Sequence, residues 1–149
     1  MATRGAIRNA TAPRPRQQLK MPRPASPRAA FHQRQRRRID GAATLAAKFP
    51  RLKSLKVDAE YYAADNATRI GHVKYVLNVE HAKSLLCFEC PNRECVRGDF
   101  DLSEVLAAAI AARHKSVAGE LRCRGWRNQD AIRKAYCQTI LRYELRLEY

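Results

Sequence analysis

Three of the five cysteines fall within nine residues, Cys87-Phe88-Glu89-Cys90-Pro91-Asn92-Arg93-Glu94-Cys95. Cys123 follows after a further 27 residues and Cys137 after another thirteen. Thiolates at two turn-like segments are the chemistry of a tetrahedral zinc site, which takes about four sulfur or imidazole ligands. Pro91 stiffens the first segment. Gly98 follows it and Gly125 lies in the second, where glycine lets backbone amides approach sulfur. The expected ligand set is Cys90, Cys95, Cys123 and Cys137, with the zinc structural. Cys87 is left out because it stands out of phase with Phe88 and Cys90 on the strand that leads into the cluster. Two other readings stay open. The thiols could be small buried apolar groups lining a sheet, or they could carry redox chemistry. His72, His81 and His114 are the available substitute ligands and read better as surface or edge histidines.

The sequence assembles no catalytic constellation. Cys87-Phe88-Glu89 imitates the first half of a zinc deaminase motif, in which a glutamate shuttles protons beside a metal-bound water. The second half should be Pro-Cys-x-x-Cys, well downstream on a helix. Here the proline follows its cysteine, the spacing is x4 and the helical context is missing. No Gly-rich phosphate loop, nucleophile elbow or HExxH is present. A metal held by four cysteines keeps no position open for water. A non-enzymatic role is therefore expected, with Glu89 a solvated strand residue.

The charge distribution suggests a partner. The chain of 149 residues has a formal net charge of +15, and residues 1–39 hold eleven Lys/Arg with no Asp or Glu. The remainder carries eighteen basic and all fourteen acidic residues, and five of the seven prolines lie in residues 1–27. Residues 1–38 are too poor in large apolar side chains to offset their ordering entropy, and they are expected to form a disordered basic arm. Such an arm attracts polyanions, RNA or DNA above all. The same composition also fits a leader, either an upstream start with Met21 as the internal one or an organellar transit peptide. Within the domain, Arg122, Arg124, Trp126 and Arg127 join Arg36, Arg37 and Arg38 as candidate nucleic-acid contacts, since guanidinium beside an indole suits phosphate contact with base stacking. The plainer reading has Trp126 packing over a helix or shielding the metal. No run approaches a membrane span or a secretory h-region. A cytoplasmic protein is expected, and its cysteines are then no disulfide framework.

The secondary structure around these residues follows from periodicity. Residues 39–50 read as a transition segment, with a short helical turn between Ile39 and Phe49 ended by Pro50. Residues 51–149 read as one domain. Leu55, Val57, Ala59 and Tyr61 alternate with polar residues, as do Val73, Tyr75, Leu77 and Val79, and both runs suit half-buried strands. Residues 85–90 form a third strand. A helix is expected from an Asp101 N-cap, with Glu104 and a Phe100–Val105 staple, to a Gly119 stop. A short strand follows from Glu120. The last strand points Leu141, Tyr143, Leu145, Leu147 and Tyr149 inward and Ile140, Arg142, Glu144, Arg146 and Glu148 outward. The expected fold is α+β: an antiparallel sheet of about five strands with one packed helix, in the order β-β-β-α-β-β. Removing residues 1–38 is expected to leave that domain intact.

From "CPNRECVRGDFDLSEVLAAAI" through "GELRCRGWR" and Cys137 to "ILRYELRLEY", the chain resembles a small bacterial domain family of unassigned function, broadly zinc-ribbon-like. The resemblance covers about residues 45–149 and implies the fold without an activity. It departs in the x4 spacing, the long gap to Cys137 and the surplus Cys87. The runner-up function is a protein-interaction or assembly module, with a structural metal or buried thiols and no nucleic-acid role.

Overall fold

The computed structural model describes residues 26–127 and 135–149. Its centre is a pair of long strands, β1 (Ser54–Tyr62) and β6 (Ile140–Glu148). They run antiparallel with Leu55 opposite Leu147, Val57 opposite Leu145 and Tyr61 opposite Leu141, so their apolar phases coincide on one face. β2 (Arg69–Leu77) joins the free side of β1 and β5 (Ser116–Arg122) that of β6, giving the order β2-β1-β6-β5 with antiparallel neighbours. The β1–β2 turn is organised by Asp65, whose carboxylate accepts from the Ala67 and Thr68 amides and the Thr68 hydroxyl. Those bonds, from Thr68 first, bring its carboxyl down to about 2.

One face of this sheet carries the core, and the other carries Lys56, Asp58, Glu60, Arg142, Glu144 and Arg146. Leu55, Val57, Ala59, Leu141, Leu145 and Leu147 are buried against Phe100, Leu102, Leu106 and Ala109. The last three of these lie on or beside α3 (Ser103–Ala111). The ring centroids of Phe100 and Tyr61 are 5.9 Å apart, which ties that layer to the sheet. A two-stranded ribbon, β3 (Cys87–Glu89) with β4 (Asp99–Asp101), stands beside the sheet. The fold is thus α+β as expected, with the short third strand placed in its own ribbon and β4 added.

Several local expectations are corrected. The segment read as one helix from residue 101 to Gly119 divides. α3 starts at Ser103, and Asp101 stays in β4 while its carboxylate accepts from the Ser103 amide at 2.9 Å. Arg113 takes φ 53°, and from Ser116 the chain is strand, paired Val117 to Leu145. Gly119 is therefore no helix stop. It sits on β5 opposite Tyr143, and a Cβ there would overlap the Tyr143 ring. Ile140, expected outward, is fully buried at the start of β6.

The largest correction concerns the basic arm. Residues 27–38, expected to be disordered, belong to α1 (Pro27–Asp40). Ser26 caps it by accepting from the Ala29 amide at 3.1 Å, and Pro27 occupies the first turn, where its missing N–H costs nothing. In the transition segment, Ile39 and Asp40 complete α1, and the expected turn is α2 (Leu45–Lys48). Residues 1–25 of the arm lie outside the described residues. No described helix is long and apolar enough to cross a membrane.

Candidate metal centre

Two loops meet at one end of the sheet. The chain leaves β3 after Glu89 and returns at Asp99, and it leaves β5 after Arg122 and returns at Ile140. Backbone bonds lock each loop and join the two. Cys90 N donates to Gly98 O and Cys95 N to Asn92 O in the first. Cys123 N donates to Thr139 O and Cys137 N to Gly125 O in the second, and Val96 N reaches across to Trp126 O.

The result brings Cys90, Cys95, Cys123 and Cys137 together, all buried, with their sulfurs within 4.8 Å of one another. Cys90 Sγ lies 3.7 Å from Cys137 Sγ, and Cys95 Sγ lies 3.7 Å from Cys123 Sγ. Zinc–sulfur bonds of about 2.3 Å in a tetrahedron set the sulfur–sulfur edge at about 3.8 Å. A disulfide would require about 2.05 Å, and all five cysteines are free. The four sulfurs therefore suit a divalent ion far better than they suit each other.

The surroundings also fit a cluster of thiolates. Four thiolates around a dipositive ion leave about two negative charges buried, which need hydrogen-bond donors. Gly125 N donates to Cys123 Sγ at 3.4 Å and Asn92 Nδ2 to Cys137 Sγ at 3.5 Å, while Thr139 Oγ1 lies 3.1 Å from Cys137 Sγ. Bonds with Cys123 first, then Cys90 and Cys95, hold the Cys137 thiol far below its ordinary range. Bonds with Cys137 first push the Cys123 thiol far above it. Ligation would require all four as thiolates, so metal binding would release protons. Gly98 and Gly125 are required by space rather than by backbone angle. A Cβ on Gly98 would overlap Cys95 Sγ and Cys123 Sγ, and one on Gly125 would strike Cys95 Sγ and Gly98.

An arginine from α1 closes the assembly. Arg28 Nη1 donates to Asn92 O at 2.8 Å and Cys95 O at 2.6 Å, and its Nη2 donates to Cys90 O at 2.7 Å. One guanidinium thus spans three carbonyls that the first loop turns toward α1. At the far end of α1, Arg38 pairs with Asp101 at 3.1 Å. Between them His32 is buried, Nδ1 3.8 Å from Glu89, and neither ring nitrogen has a hydrogen-bond partner among the described residues. It borders a cavity of about 110 Å3 with Gln35, Ile39, Phe88 and Asp99.

The remaining sequence candidates separate. Cys87 stays outside the cluster on β3, with Arg38 Nη2 3.6 Å from its sulfur. Burial first, then Asp101, pushes its thiol up to about 11, so it is a poor nucleophile. His72 joins Asp58 and Glu60 on the open sheet face, bonded to Asp58 at 2.5 Å and remote from the four cysteines. His81 and His114 supply no ligand to either group. Arg36, Arg37, Arg122, Arg124 and Arg127 are exposed, while Arg38 is committed to Asp101 and Arg127 Nη2 reaches Cys137 O at 3.3 Å. Trp126 is half-buried, with Arg97 Cζ 5.4 Å from its ring centroid.

Sequence reasoning missed Arg28, Asn92 and Thr139. Asn92 and Thr139 each stand two residues from a ligand cysteine, a spacing that could have marked them. Arg28 carries no such signal, since it is one of eleven basic residues in a segment without period. Compared with known protein families, curated proteins and solved structures, the chain matches none, so the zinc-ribbon-like resemblance gains no support there.

Proposed function

We propose that this protein is a small, non-enzymatic zinc module that engages nucleic acid through its basic N-terminal segment. The observation that carries the metal reading is the buried set of four sulfurs within 4.8 Å of one another, with two of the pairs at 3.7 Å. With four thiolates the coordination shell is closed, so the ion is structural and joins two loops that have little other core. Such a site supplies on the order of 10 kcal/mol to folding.

The nucleic-acid reading rests on charge. Eleven Lys/Arg without an acidic residue precede Asp40, and α1 fixes the end of that segment beside the metal loops. Phosphate neutralisation releases counterions, so affinity should fall steeply with salt and depend little on sequence. Residues 1–25 carry six of the eleven charges and precede α1 with its Arg28 bonds, so their removal tests the arm while α1 and the described loop contacts are kept. The expected result is a large loss of affinity and a shallower salt dependence with zinc content unchanged. Full-length protein that binds neither RNA nor DNA at low salt would overturn this reading.

One observation favours an interaction module instead. β2 is an edge strand, and Ile70, Val73 and Val76 on it are exposed. An edge of this kind can pair with a strand of another protein. That reading leads if nucleic-acid binding fails.

A further inference from the structure

The two cysteine-bearing loops also carry a group of aromatic and basic side chains of their own, separate from the charges of the N-terminal segment. Trp126 and Tyr136 form an isolated antiparallel bridge, so they stand directly opposite one another across the second loop. Side chains of directly opposed residues leave the same face of a ladder, about 5 Å apart at Cβ. Tyr136 is 60% exposed, and it is the one large exposed apolar side chain among the described residues that is not on β2. The Arg97 guanidinium lies against the Trp126 ring from the first loop. Arg93, Arg97, Arg124 and Arg127 are exposed on the two loops, where Glu94 is the acidic residue among the described ones.

An open tyrosine ring, a neighbouring indole and a rim of arginines is the composition that binds unpaired bases. The ring offers a π-face to any base, and the guanidinium groups reach the phosphates on either side. A duplex hides its base faces by stacking and could use only the charges. We infer that the Trp126–Tyr136 face, with Arg97, is a stacking site for single-stranded nucleic acid. This rests on the nucleic-acid reading above and deepens it: the arm supplies charge, and the metal loops supply contact with bases. Zinc has a purpose in this scheme, because it holds the two loops whose residues compose the platform.

Trp126 is the only tryptophan in the chain, so its fluorescence reports from the site itself. The test titrates full-length protein with labelled oligothymidylate and with a duplex of equal length at low salt, following both oligonucleotide anisotropy and Trp126 emission. Binding of the single strand should quench Trp126. Tyr136→Ala should weaken it about five- to a hundredfold, the range for loss of one stacked base, and leave the salt dependence unchanged. Tyr136→Phe should restore affinity, since the ring is what stacks. Arg97→Gln, from the other loop, should lower affinity and make the salt dependence shallower by about one contact. Single-strand binding with Trp126 silent and Tyr136→Ala at full affinity overturns the platform and leaves the arm reading standing. Equal affinity for duplex and single strand, unaffected by Tyr136→Ala, does the same. No binding of either oligonucleotide by the full chain overturns both.

Discussion

The Arg28 guanidinium lies 2.6 Å from the carbonyl oxygen of Cys95. It is the shortest of three bonds by which a residue of the basic segment holds the first metal loop. This contact ties α1 to the domain, so removing residues 1–38, expected from the sequence to leave the fold intact, would also take away a support of the first loop.

Arg28→Ala should therefore destabilise the protein by about 2 kcal/mol, since charge-assisted bonds are among the stronger ones and three carbonyls lose their donor. The half-exposed position keeps the loss below the sum of three full bonds. Thermal denaturation should show the drop, and hydrogen exchange should show α1 losing protection first. Zinc content should be unchanged, because the four sulfurs are held by their own loops. An α1 that stays protected in Arg28→Ala would mean that Arg38 and the buried face of the helix suffice.

Gly98→Ala places a methyl group where Cys95 Sγ and Cys123 Sγ already lie. The sulfurs cannot move apart without leaving tetrahedral spacing. A cost of at least about 2 kcal/mol is expected from overpacking alone, with weakened metal retention in addition. Zinc release under a chelator, followed with a colorimetric indicator, should be much faster than in the parent protein. Unchanged release kinetics would show that the loops can relax around the methyl.

The main features of the fold were legible because β1 and β6 alternate strictly and their phases agree. Leu55 to Tyr61 and Leu141 to Leu147 state which face is buried before any coordinate is known. The four-cysteine set was legible for a similar reason, since thiols near Pro91, Gly98 and Gly125 mark turns and Cys87 stood out of phase. What could not be read was long-range. Ser116–Gly119 continues a helical pattern locally, and it becomes strand only because β6 offers Leu145 and Tyr143 as partners. α1 has no apolar stripe to announce it. Its docking depends on an arginine and three carbonyls, which leave no trace in periodicity.

The buried histidine of α1 should make docking sensitive to pH. Burial first holds His32 below its ordinary value near 6.5; Glu89 and Asp99 oppose this, and Arg28 and Arg36 reinforce it. A histidine whose folded value is depressed is protonated more readily when α1 is released. Docking should thus be strongest above about pH 6.5 and weaken as pH falls below that value. Protection of α1 amides, corrected for intrinsic exchange, should decline between about pH 7.5 and 5.5. His32→Gln should remove that dependence. A parent protein with equal protection at both ends of the range would show that Glu89 and Asp99 compensate for the proton.

If Cys90, Cys95, Cys123 and Cys137 hold one structural zinc, metal analysis of purified protein should find it. About one zinc per chain is expected, retained in Cys87→Ser, whose thiol stands apart on β3. Cys137→Ser should lose both metal and cooperative folding. Protein that purifies folded and metal-free with all five thiols titratable would contradict this assignment, as would zinc that is lost with Cys87 and kept without Cys137.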